Sequence, residues 1–117
     1  NGPDWVKKYN TAFLQEAPIL IVVLVDPSKA GLGRYFGQKY GAISAGSACA
    51  MSILLAATDI GLGSLWFTFF RPEKLRTILS IPEKLEIIAI IPIGKIKGEI
   101  KVPPRKELKI ANDNYNN

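Results

Sequence analysis

The chain contains no histidine and one cysteine. Without histidine it cannot build a Ser-His-Asp triad, a histidine general base or the usual histidine-containing zinc site. A lone Cys49 closes no internal disulfide and no cysteine-pair metal site. It sits between Ala48 and Ala50 in an apolar run with no partner base in view. It therefore reads as a buried structural thiol, and such cysteine usage fits a reducing cytosol. The opening Asn1-Gly2-Pro3-Asp4-Trp5 is neither a signal peptide nor a transit peptide, and it lacks an initiator methionine. A fragment or processed product is the expectation.

Acidic residues are also in the minority. Fifteen Lys and Arg against ten Asp and Glu leave a formal charge of +5. The excess gathers late in the chain, at Lys95, Lys97, Lys101, Arg105, Lys106 and Lys109, where only Glu99 and Glu107 oppose it. Such a stretch attracts anions, phosphorylated cofactors among them, although a solvated basic surface has the same composition. The aromatics Trp66, Phe67, Phe69 and Phe70 lie in an apolar run apart from these cations. No stacking platform results, so no nucleic-acid partner is expected.

What the chain does have is enough apolar residues, 48% of 117, for one cored domain. Residues 1–117 read as a single unit, with 95–117 as an extended C-terminal arm and 112–117 as a frayed tail. Trp5, Val6, Tyr9 and Phe13 recur at roughly helical spacing, which predicts a short helix. Residues 18–25 (PILIVVLV) are apolar on both faces and too short for most helices, so they predict a central strand. Residues 29–41 hold Gly31, Gly33, Gly37 and Gly41 and predict a loop. Their spacing misses the G-x-G-x-x-G dinucleotide fingerprint by one residue.

Residues 40–70 carry the most information. Positions 42–59 form a long run of small and apolar residues, broken at Ile60-Gly61-Leu62-Gly63-Ser64. A membrane span needs about 20 apolar residues. This run instead carries Ser44, Ser47, Ser52 and Thr58 and closes at Asp59, so it predicts a helix buried within a protein or a dimer, with no membrane role. Gly61 is its C-terminal stop. Residues 64–70 then predict a buried strand whose glycine-rich approach leaves N–H groups beside an apolar wall. Pro72 fits the first turn of a short helix over 73–79, and residues 85–93 predict another buried strand. From Lys95 to Val102 charged and apolar residues alternate, which suggests an edge strand or arm. Local pattern alone favours a parallel βαβ sheet.

Several segments, in order, resemble the FMN-dependent nitroreductase family. They are APILIVV at 17–23, SILLAATDIGLGSLW at 52–66, LSIP at 79–82, IIAIIPIG at 87–94 and RKEL at 105–108. The family's R-x-S-x-R and P-S-x-x-N-x-Q segments have no counterpart, so the resemblance covers the C-terminal part of that domain. It implies an α+β sandwich with a mixed, mainly antiparallel sheet flanked by helices, in place of the parallel sheet. It also implies a homodimer built around the long central helix, with FMN at the interface and the arm reaching towards the partner. Carried over, the backbone N–H groups of Trp66, Phe67, Thr68 and Phe69 reach the N5 and O4 edge of the flavin, with Thr68 and Phe69 foremost. Arg105, with Lys106 beside it, holds the FMN phosphate. No catalytic side chain and no metal are implied. The implied function is electron transfer from NAD(P)H through FMN to a nitroaromatic, quinone or similar acceptor, in the cytoplasm. The alternative is a non-enzymatic dimerising remnant of the fold whose basic arm binds an acidic partner.

Overall fold

The structure is a computed structural model that describes residues 12–29, 40–99 and 101–112. In chain order these form α1 (Ala12–Glu16), β1 (Ile19–Val25), a 3-10 turn (Pro27–Lys29), α2 (Gly41–Asp59), β2 (Gly63–Ser64), α3 (Pro72–Leu79) and β3 (Glu86–Gly94). The helix expected from Trp5 lies outside the described residues except for its end, and most of the glycine-rich loop lies outside them too.

The sheet has the order β1-β3-β2, and both pairings are antiparallel. The parallel arrangement favoured by local pattern is thus corrected, and the α+β reading holds. β1 runs along β3 from Ile19 opposite Ile93 to Val25 opposite Glu86, with a bulge between Val23 and Leu24. The expected central strand is therefore an edge strand among the described residues, although its sequence is apolar on both faces. Ile19 and Leu20, at its start, are exposed.

Why α2 lies on this sheet follows from residue size. Gly46, Ala50 and Ala57 recur along one side of the helix and are its buried residues. With no bulky side chains there, the helix backbone comes close to β1 and β3. Ala50 joins Val23, Ala89 and Ile91 in the core, and Ile53, Leu54, Trp66 and Ile88 pack around them. The helix ends as Gly61 predicts. Its φ of 78° lets the Gly61 N–H reach the Thr58 carbonyl at 3.0 Å and the Leu62 N–H reach the Ala57 carbonyl at 2.8 Å. These two bonds satisfy carbonyls that the helix end would otherwise orphan.

The other side of α2 is open. Met51 and Leu55, one turn apart, are 48% and 64% exposed. By length and composition α2 is also apolar enough to cross a membrane, yet it lies flat on the sheet through its small residues. Cys49 is exposed, which corrects the buried thiol. Ala50, its neighbour, takes the place in the core.

Candidate functional site

The stretch after Gly61 builds the site. Gly63 pairs with Gly94, Ser64 with Ile93 and Phe67 with Ile90, all in one antiparallel register. The pairing is nevertheless discontinuous: β2 is two residues long, where a strand to Phe70 was expected. The register explains the gap. Phe67 and Ile90 exchange both backbone bonds, each 3.0 Å. Successive residues of a strand direct their backbone polar groups to opposite sides. Pro92, two residues beyond Ile90, therefore faces the same side, at the position opposite Leu65. Proline has no N–H to give there. The ladder breaks at Leu65 and resumes for one bridge at Phe67. The missing donor also lies on the β2 side of β3, which is why a proline is tolerated in the central strand with the pairing of Leu20 and its neighbours on β1 intact.

This geometry sorts the residues that the sequence singled out. The Phe67 N–H is spent on the Ile90 carbonyl, so it has none to offer a ligand, and its side chain is buried. Thr68, the next residue, turns its N–H away from β3, and among the described residues no hydrogen bond engages that group. Its carbonyl accepts from the Phe70 N–H at 3.0 Å, closing a tight turn about Phe69. Phe69 is 47% exposed, and its ring meets that of Phe67 edge-on at 5.9 Å. Trp66 packs on the core cluster. Arg105 and Lys106 lie exposed in a segment without regular structure, as do Lys95 and Lys97. Of the edge strand or arm expected from Lys95, no strand forms among the described residues.

A groove of about 670 Å³ opens at the end of the sheet, lined by Pro18, Gly63, Leu65, Pro92, Gly94 and Lys95 among others. It includes none of the six residues proposed from sequence, but it shares the Leu65–Pro92 break with the stretch that carries them. Sequence reasoning passed over Pro92. The signal was present as a proline inside the β-branched run IIAIIPIG. Among the described residues no group of three His, Cys, Asp or Glu could hold a metal ion.

Similarity to known proteins bears on this arrangement. The nitroreductase family model matches residues 5–95. The chain belongs to that family. An Archaeoglobus fulgidus protein with the provisional name NADH dehydrogenase/NAD(P)H nitroreductase is 31% identical over 122 residues, covering 97% of this chain and 64% of its own length. A Methanothermobacter thermautotrophicus protein of the same provisional name is 32% identical over 87 residues, covering 71% of this chain and 42% of its own. Among solved structures, an FMN-dependent nitroreductase from Clostridium difficile superposes with a TM-score of 0.70 at 28% identity, over 93% of this chain and 65% of that one. Oxidized iodotyrosine deiodinase bound to FMN and 3-iodo-L-tyrosine shares the fold, with a TM-score of 0.76 at 23% identity, over 98% of this chain and 60% of that one. The chain thus spans between two fifths and two thirds of the length of these proteins.

Proposed function

We propose that this chain is the flavin-facing part of an FMN-dependent oxidoreductase that takes electrons from NAD(P)H and passes them to a nitroaromatic, quinone or similar small acceptor. Membership of the nitroreductase family supports the class of chemistry. The observation that carries the reading to residues is the Thr68 N–H, turned out from the sheet and next to a bridge that fixes its position. An outward amide beside the half-exposed Phe69 ring suits the polar edge of a flat, heteroaromatic group.

FMN, when bound, supplies the redox chemistry, accepting hydride and releasing electrons to the acceptor. The chain supplies position and electrostatics. Thr68, with Phe69 after it and Trp66 two residues before it, would present backbone to the N5 and O4 edge, where a fixed dipole costs no reorganisation as charge develops. Arg105 is placed on the phosphate, since a guanidinium can grip it through two parallel N–H bonds, and Lys106 adds a point charge. The open Met51 and Leu55 side of α2 supports a homodimer, with the second copy covering that side. Such an enzyme works in the cytoplasm.

Titration of the full chain with FMN tests this reading. The expected result is a yellow complex with an absorption band near about 450 nm, bleached by NADH or NADPH. A chain that stays colourless and takes up no FMN at any concentration sinks it.

A second reading is favoured by the arm. Residues 101–112 are exposed throughout and carry Lys101, Arg105, Lys106 and Lys109. A dimerising, non-enzymatic module whose arm binds an acidic partner would give salt-sensitive binding of a polyanion without flavin uptake.

A further inference from the structure

We infer that Pro92 is a positioning residue for the amide at Thr68, acting through the ladder break that it creates. This inference rests on the FMN reading above. Three features meet at Pro92. It stands opposite Leu65 in a register kept on both sides of it, by Ser64 with Ile93 and by Phe67 with Ile90. It faces Leu65 with no N–H. It lines, with Leu65, the groove at the end of the sheet.

The consequence is mechanical. A residue other than proline at this place would donate to the Leu65 carbonyl and join the two-residue β2 to the bridge at Phe67 as one strand. The stretch from Leu65 to Thr68 would then lie at the level and twist of β3. With proline there, the Leu65 carbonyl finds no donor on β3, Leu65 and Trp66 form no bridge, and the pairing resumes at Phe67 by two bonds of 3.0 Å. The Thr68 amide thus sits one residue beyond a single bridge, after two residues whose path is set by the packing of Trp66 on the core and not by the ladder. Pro92 touches no ligand in this scheme; it sets the angle at which Thr68 meets one.

Pro92→Val and Pro92→Ala in the full chain test the inference, and both restore an N–H. Hydrogen exchange should show the new amide at position 92 protected, and the melting temperature should rise or hold. FMN affinity should nevertheless fall by about tenfold, the equivalent of one misaligned hydrogen bond, and the midpoint potential of the bound flavin should move. A merely structural role for Pro92 would couple any loss of FMN to a loss of stability and leave the potential unchanged. Unaltered affinity and potential in a variant whose new amide is protected overturns the inference while the FMN reading stands. So does a pair of variants that both fail to fold, since the added bond is then not accommodated. Failure of the unmodified chain to take up FMN is a different result: it overturns the FMN reading and this inference with it.

Discussion

Gly46 of α2 lies directly against Ile88 of β3. A Cβ built on this glycine would stand 2.6 Å from Ile88 Cγ1 and 2.7 Å from Val25 Cγ1. Both are atoms close to the backbone of packed side chains, so neither can swing aside cheaply. The contact sets how near the central helix comes to the sheet. Gly46→Ala gains about 1 kcal/mol of helix propensity, but overpacking of this kind costs about 1–3 kcal/mol. The expected net result is a loss of stability, read as a lower urea midpoint with an unchanged slope. A stabilised variant would mean that the helix rides on the sheet more loosely than its glycine indicates.

Ser80 closes α3 in the left-handed conformation, with φ 54° and ψ 43°. The Ile81 N–H reaches back to the Arg76 carbonyl at 3.0 Å and completes the cap. A residue with a Cβ is strained there by about 1–2 kcal/mol, and glycine is not. Ser80→Gly gives some of this back as extra chain entropy in the unfolded state, so a gain of about 0.5–1 kcal/mol is expected. Thermal melts of the two proteins decide the sign.

Much of this architecture was legible from residue order. The helix at Gly41–Asp59, its stop at Gly61 and the helix opened by Pro72 came within one residue, because each is marked by local chemistry: a small-residue run, a left-handed glycine, a proline at a first turn. Direction and neighbours were not local. β1 looks central since ILIVVLV has no polar face, yet its place in the sheet depends on strands far away in sequence. Cys49 looked buried because Ala48 and Ala50 flank it, but successive residues of a helix face about 100° apart, and here Ala50 faces the core. At the candidate site, the run from Leu65 to Phe70 reads as a plain strand until its partner is known. Only the register with β3 brings Pro92 opposite Leu65, commits the Phe67 amide and releases that of Thr68.

Asp26 gives the fold a mild acid sensitivity. Its carboxylate accepts the Ser28 hydroxyl at 2.6 Å and the Ser28 N–H at 3.0 Å. These bonds, the hydroxyl foremost, hold its pKa below the ordinary aspartate value, aided by Lys84 and Lys29. A folded-state pKa below the unfolded one contributes stability above the unfolded value, and that contribution is lost as pH falls through the folded value. Ser28→Ala should therefore raise the Asp26 pKa towards normal in an NMR titration and flatten this part of the acid dependence. An Asp26 that titrates identically in both proteins would remove Ser28 as the cause.

The open side of α2 makes the dimer testable apart from flavin. Leu55→Glu places a charge where a second copy would bury an apolar side chain, while the same position is 64% exposed in the single chain. The folded monomer should tolerate it within about 0.5 kcal/mol, but association should fail. Light scattering is expected to give a dimer for the parent chain and a monomer for the variant. A dimer for both proteins would place the contact elsewhere, and a monomer for both would remove the dimer.

Arg105 separates the flavin reading from a basic arm that is simply solvated. It lies exposed and outside any helix or strand, so Arg105→Ala should leave the melting temperature without FMN nearly unchanged. If the guanidinium grips the FMN phosphate, affinity should fall by roughly tenfold to a hundredfold, the scale of a charge-assisted hydrogen bond. Riboflavin, which lacks the phosphate, should bind parent and variant equally. Arg105→Lys keeps the charge but not the paired donors, and should recover only part of the loss. Equal weakening for FMN and riboflavin would instead point to a disturbed pocket, and no weakening for either would assign the phosphate to another cation, with Lys106 the first to examine.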